Sequence, residues 1–446
     1  MRKLVSMCLA VLMVFSLPLT VLAVNVDVSY GDVTIHGDVV EHTNSENQTT
    51  STPHDGSVTV TGSSDQYSVK VDSEKDVTVV LNNVTVDASQ QGTAAMEVST
   101  SDGVSVNVEL EGSNSLTGGD YHAGLEVSEN SKVEITDQNG NGSLKSQGGY
   151  KGAGIGGGNA GNNGDITISG GDIEAMGGTA AAGIGGGYQG EGSDISISGG
   201  NVTAIGGSKG SGIGGGSYGS AENISISGGT VSAAGGDNAA GIGGGAYEGN
   251  AENITISAGK VTATGGENAA GIGGGYRADS ENIQITGSAE VIAKGSGTGA
   301  DVGNGGGYGQ TEKNPNKVTV ELSGGGSFNG ETFQGEEGEV GNQPAKAPGK
   351  TRYAKGQIVN ERGALILHVF DFGDGWQEQY SNGKLTITTG ENPRLEITGY
   401  GIRTLIRYGI RVMVIDGAQY TLSELVKDHD DLTMFSFEGG KVEISG

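Results

Sequence analysis

The chain has 446 residues with 87 glycines, 6 prolines, a single cysteine and a formal net charge of -28. No Gly-X-Y period runs through it, which excludes collagen, and its apolar residues alternate too regularly for a disordered linker. The charge is concentrated: residues 24–344 hold 11 basic and 40 acidic side chains, a balance that repels nucleic acid and anionic membrane surfaces.

Met1-Arg2-Lys3 is followed by an apolar run from Leu4 to Leu22 broken by Ser6, Ser16, Pro18 and Thr20, and then by Ala23. This pattern predicts a secretory signal peptide over residues 1–23, and hence a secreted or cell-surface protein. No second apolar run reaches the roughly 18 residues of a membrane span. Cys8 lies inside the signal, so the exported chain is expected to be held by packing without disulfides.

Residues 24–337 are organised by a repeat. Gly154-Ile155-Gly156-Gly157-Gly158 returns around Ile184, Ile213, Ile242 and Ile272, at steps of 29 or 30 residues. The same apolar centre continues upstream at Val69, Met96 and Leu125 and downstream at Val302, giving nine coils, with regular coils over 66–325. Residues 25–60 predict a degenerate first coil carrying an insertion at 36–57.

Each period contains three short strands. Around Ile213 they are 211–215, 223–227 and 230–234, separated by glycine-rich corners, with Ile224, Ile226, Val231 and Ala233 facing inward. The second-strand column begins at Val77 and Val79, continues through Val104 and Val106, Val133 and Ile135, and reaches Val318 and Val320. A single coil cannot bury its inward row, so the coils must stack. The expected fold is all-β: a right-handed parallel β-helix, its hand set by the crossover preference of parallel strands, in a rod of about 45 Å.

Gly-Ile-Gly-Gly-Gly, then Glu222-Asn223-Ile224-Ser225-Ile226-Ser227, then Val231-Ser232-Ala233-Ala234, resembles the secreted carbohydrate-binding β-helix proteins of clostridia and related bacteria. The stretch from Asp76 to Val86 is similar to their early coils, and the resemblance covers about residues 58–325. It implies a pectate-lyase-like fold, and the binding of plant polysaccharides and calcium.

Pro344 and Pro348 mark a linker over 338–351, and a small α+β domain is predicted over 352–446. Its strands are signalled by Leu365 and Leu367, Leu385 and Ile387, Leu395 and Ile397, Ile410 to Ile415, Met434 to Phe437 and Val442 to Ile444. Ile402, Leu405 and Ile406 have helical spacing, and Thr421-Leu422-Ser423-Glu424 reads as a capping box.

Three constellations could carry function. In the first, glycines flank the central isoleucine on the outward side in five coils, predicting a bare strip, and Tyr188, Tyr218, Tyr247, Tyr276 and Tyr308 follow it as an aromatic edge. A coil rises by about 5 Å, close to the length of one sugar, so a glycan could lie along the rod on the rings; the competing explanation is that the glycines only permit tight turns. In the second, Lys70, Glu97 and Glu126 form an outward column that could resemble a glycosidase pair, or be an ordinary solvated charge stack. In the third, Asp76, Asp165, Asp194, Asn223, Asn253 and Asn282 precede the second strand. An asparagine ladder is expected there, with Asp165, Asp194 and Glu222 as candidate calcium ligands. The functional expectation is a polysaccharide-binding protein without catalysis; a surface adhesin for a protein partner and a polysaccharide lyase or glycoside hydrolase are the alternatives.

Overall fold

The computed structural model describes residues 24–306 other than Thr298, together with 318–322, 326–329, 331–332, 357–359, 365–368, 377–381, 384–388, 395–407, 410–430 and 433–445. The expected signal peptide over 1–23, the expected linker over 338–351 and Tyr308 lie outside the described residues.

The repeat builds a parallel β-solenoid of about nine turns, with three sheets of twelve, eleven and eleven strands. The first sheet carries the glycine motif. Its central residues pair coil to coil in an unbroken series, Val33 with Val69, Val69 with Met96, Met96 with Leu125, Leu125 with Ile155, and onward through Ile184, Ile213, Ile242 and Ile272 to Val302. The alternation therefore gave the right inward face, and these residues are almost wholly inaccessible to solvent. A fully buried Ile or Val contributes roughly 1.5–3 kcal/mol, so the inward columns are the main source of stability.

One register differs from expectation. Val77 pairs with Val106 and Val79 with Val108, so the column runs through Val106 and Val108 and leaves Val104 out. The tight turn at Ser101–Gly103, closed by Val104 N–H donating to Ser101 O, with Gly103 at φ 81°, holds Val104 ahead of the strand Ser105–Glu111.

The expected insertion forms an antiparallel pair, Val39–Thr43 with Thr49–Pro53, which covers the N-terminal edge of the first sheet by pairing with Asp32–Ile35. Val24–Asp27 starts the second sheet by pairing with Ser57–Thr61, and Val28 belongs to a short 3-10 turn instead of a strand. An edge strand with unpaired backbone invites other chains, and antiparallel capping is one way to blunt it.

The glycines next to the isoleucines do not form a bare outer strip, contrary to the sequence expectation. The strand around each isoleucine is only two residues long, as in Ile213–Gly214, and Gly212, Gly214 and Gly215 are all buried. The chain arches over on both sides and backbone packs directly on backbone. Gly214 has φ 128°, and a Cβ there would lie 2.2 Å from the carbonyl oxygen of Gly243 in the next coil. Tight packing is thus what the glycines serve. The small residue two positions before each isoleucine, Ala153, Ala182, Ser211, Ala240 or Ala270, is buried too, and Ser211, the polar member of that column, donates its hydroxyl to Gly215 O at 2.9 Å.

The C-terminal part has a core of its own, built from Leu385, Ile387, Ile397, Ile402, Leu405, Met413, Phe435 and Phe437, among others. It combines a four-stranded sheet, a three-stranded sheet, a two-stranded pair and the helix Gly399–Arg407, on which Ile402 and Leu405 are buried. Thr421 does stand at the N-terminus of the short helix Leu422–Leu425, but its side chain makes no capping bond. Its position is fixed by pairing with Val412 at the end of a strand, and a one-turn helix needs little more.

Gly214→Ala is expected to lower the urea midpoint by more than Ile213→Val, a change that typically costs about 0.5–1.5 kcal/mol. Gly103→Ala, where nothing lies within 4 Å of the added carbon, should cost less than Gly214→Ala. Equal losses at the two glycines would refute close backbone contact as the reason for the motif.

Candidate binding site along the glycine arches

The two arches flanking each buried isoleucine meet across a seam that is offset by one coil. The residue four places before the isoleucine accepts, through its carbonyl, the N–H of the residue four places after the isoleucine of the next coil. Tyr121 accepts from Asn159 at 2.7 Å, Lys151 from Tyr188 at 2.9 Å, Lys209 from Ala246 at 3.1 Å and Asn238 from Tyr276 at 2.8 Å. Side chains distant in sequence are thereby set side by side along the rod.

The tyrosines form a ladder on this seam. Ring centroids lie 6.3 Å apart for Tyr188 and Tyr218, 5.3 Å for Tyr218 and Tyr247, and 6.4 Å for Tyr247 and Tyr276. They do not occupy one position in the repeat: Tyr188 and Tyr276 are four residues after their isoleucines, whereas Tyr218 and Tyr247 are five after theirs. The latter two have φ 67° and 63°, a left-handed backbone that is unusual for an aromatic residue. The middle pair is stacked at 29° and the outer pairs are edge-to-face at 87° and 85°, so the ring faces do not make one flat platform.

Sequence reasoning missed the other half of the strip. Tyr121 and Tyr150, from the arch preceding the glycine motif, have centroids 6.2 Å apart and are about half exposed. Lys151 bridges them to the ladder, with Nζ 5.9 Å from each of their centroids and 4.1 Å from that of Tyr188. Lys209 Nζ stands 5.0 Å from the Tyr247 centroid and the Arg277 guanidinium 5.1 Å from that of Tyr276. A hydrogen bond to the Tyr247 hydroxyl, with the charge a tyrosinate would carry there, raises the Lys209 pKa above its ordinary value. Six tyrosines and three cations thus follow one line. The signal was a basic or aromatic residue four or five places before the isoleucine, which gains meaning only once the one-coil offset is known.

The charged column at Lys70, Glu97 and Glu126 is in register, as expected. Lys70 Nζ is 3.4 Å from Glu97 Oε1, whereas Glu126 turns to the strip and binds His122 Nδ1 at 2.9 Å and the Ala123 N–H at 3.0 Å through the same oxygen. The hydrogen bond that His122 donates to the Glu126 carboxylate raises the His122 pKa above 6.5, against a smaller opposing effect of burial and with help from the charges of Glu126 and Glu97.

The asparagine ladder is present and runs between coils. Asn223 Nδ2 donates to Asp194 Oδ1 at 3.2 Å, Asn253 to Asn223 at 3.3 Å and Asn282 to Asn253 at 2.7 Å. All four residues have φ between 53° and 55°, a conformation Asp and Asn tolerate better than most. Of the candidate calcium ligands, Asp165 pairs with Lys132 at 2.7 Å and Asp194 ends the amide ladder. Glu222 lies in the neighbouring column, opposite Ser193 and Glu252. Among the described residues no three His, Cys, Asp or Glu side chains gather as a metal site, and no helix is long and apolar enough to cross a membrane.

A family model described as Beta helix repeat matches residues 166–188, 195–217, 224–246 and 254–276, each copy running from the second-strand isoleucine to the turn that carries the tyrosines. No curated protein and no solved structure matches the chain.

Because the His122 pKa is raised, its ion pair stabilises the fold fully below the ordinary histidine value near 6.5, and that contribution is lost as pH rises through the higher folded value. The imidazole NMR titration should therefore centre above 6.5 and return towards it in Glu126→Gln; an unchanged midpoint in the variant would remove Glu126 as the cause.

Proposed function

We propose that the solenoid is an extracellular polysaccharide-binding rod without catalysis of its own, and that the glycan lies along the tyrosine strip. One observation carries this reading: six partly exposed tyrosines are held in a line by backbone hydrogen bonds between coils, at ring spacings of 5.3 to 6.4 Å where rings adjoin. Successive coils rise by about 4.8 Å, so the rungs recur at nearly the length of a sugar unit.

Energetics favour a role beyond folding. A ring contact contributes about 0.5–1.5 kcal/mol, and holding a bulky residue in the left-handed region costs about 1–3 kcal/mol. The turn imposes that backbone on whichever residue stands there, Ala160, Gln189 and Arg277 included, so it does not itself call for tyrosine at 218 and 247. An exposed aromatic that returns little stability for its strain is better explained by what it touches in solution, and tyrosine offers an apolar face with a polar tip, as a sugar requires. The resemblance to secreted carbohydrate-binding β-helix proteins supports the same reading, and calcium stays part of it as a proposed accessory ion.

The triple variant Tyr218→Ala, Tyr247→Ala, Tyr276→Ala should lose at least tenfold in retention on insoluble cellulose or pectin while keeping its far-UV circular dichroism, with chelator present or absent as a check on calcium. Undiminished retention of the folded variant would place the glycan elsewhere.

A further inference from the structure

Tyrosines stand on both sides of the seam, and the strip changes sides once. Tyr121 and Tyr150 come from arches that precede a central apolar residue, whereas Tyr188, Tyr218, Tyr247 and Tyr276 come from arches that follow one. With the one-coil offset, Tyr121 stands on the rung of Asn159, and Tyr150 and Tyr188 flank the next rung, where the Lys151 carbonyl accepts the Tyr188 N–H. On later rungs the position of Lys151 is taken by Ala180, Lys209 and Asn238, and that side of the seam carries no further tyrosine.

Ring contact is broken at the crossing. Tyr121 touches Tyr150, and Tyr188 starts a series of contacts through Tyr218 and Tyr247 to Tyr276, but among the described residues no ring contact joins Tyr150 to Tyr188. Lys151 fills the break, its Nζ 5.9 Å from the centroids of Tyr121 and Tyr150 and 4.1 Å from that of Tyr188. Lys209 and Arg277 each meet a single ring. Among the described residues Lys151 makes no ion pair with a carboxylate. A lysine ammonium is a compact charge with three donors; ring faces attract it, and an N–H not aimed at a ring is open to a sugar hydroxyl. Tyr121 and Tyr150 are 49% and 51% exposed, close to the 56% of Tyr218, the most open ring of the ladder.

Resting on the reading of the strip as a glycan site, we infer that Tyr121 and Tyr150 form a second sugar subsite across the seam, and that Lys151 couples it to the ladder, so that the strip selects long internal stretches of a polymer over short oligosaccharides. The ladder covers four rungs, and the pair extends it by one rung and adds a second platform opposite Tyr188. Rungs recur at about 4.8 Å, nearly one sugar each, so a tetrasaccharide fills the ladder alone and a hexasaccharide reaches the pair as well. A ligand held at one subsite meets the other at high effective concentration, provided the surface between them is continuous. Lys151 supplies that continuity as a positioning residue: it holds rings from three coils around one charge.

The test titrates the whole protein calorimetrically with four- and six-sugar fragments of the polymer that retains it, cellotetraose and cellohexaose for cellulose or the corresponding galacturonate oligomers for pectin. The hexasaccharide is expected to bind at least tenfold tighter than the tetrasaccharide. Lys151→Ala, with unchanged far-UV circular dichroism, should remove most of that difference while shifting the tetrasaccharide affinity less than twofold. The pair Tyr121→Ala, Tyr150→Ala should behave in the same way, and adding Lys151→Ala to it should cost nothing more, because both changes break one coupling. Lys209→Ala, whose cation meets a ring inside the ladder, should weaken both lengths alike. Equal affinity of the unsubstituted protein for the two lengths, an equal loss at both lengths in Lys151→Ala, or fully additive losses from Lys151→Ala and the tyrosine pair overturns the inference and leaves the ladder standing. Retention on neither cellulose nor pectin overturns the strip itself and this inference with it.

Discussion

Backbone hydrogen bonding from each coil to the next is the interaction on which everything else in the solenoid depends. In most folds such bonding is confined to the strands, and corners turn to water or side chains. Here it continues through the corners, where Gly183, Gly212 and Gly241 donate to the coil that follows. That continuity explains the composition. Two backbones can approach this closely only where no side chain intervenes, and a Cβ on Gly207 would lie 1.6 Å from the carbonyl oxygen of Gly178. Glycine costs chain entropy that other residues do not, and the inward isoleucine columns offset it.

The same constraint sets what the sequence could and could not disclose. Inward columns were legible because the two-residue alternation of a strand and the long period of the coil reinforce each other; every central residue from Val69 to Val302 falls where spacing placed it. Polar exceptions were partly legible, since Asn223, Asn253 and Asn282 combine a left-handed turn with an amide ladder, both preferences of that side chain. The exterior of the first sheet was misread, because alternation says which side of a strand faces out but not that neighbouring arches will cover it. Val104 was misplaced for a related reason: a three-residue turn mimics one step of alternation.

The strip shows a deeper limit. Tyr188 and Lys151 are 37 positions apart and meet only because an arch of one coil clasps the opposite arch of the next. No local pattern contains that offset. Once it is applied, residues that looked scattered become successive: the lysines at 151 and 209 fall beside rings, and Glu126 closes the line at the N-terminal side through His122. Charge then divides by surface. The charged side chains of the repeat are mostly acidic, a balance that makes like rods repel one another, while the seam gathers aromatic and basic groups.

The amide ladder beside the second sheet has a direction. Each Asn donates through Nδ2 to the coil before it, so the amide dipoles of Asn223, Asn253 and Asn282 all point the same way and the positive end of the column rests on Asp194. Their alignment makes the column a small electrostatic rod within the larger one, with the carboxylate as its counter-charge. A carboxylate placed anywhere else in the column could accept a bond but not pass one on, and the chain would break there. The acid at the start and amides thereafter are therefore one arrangement, in which charge is admitted only where the relay of donors comes to its end.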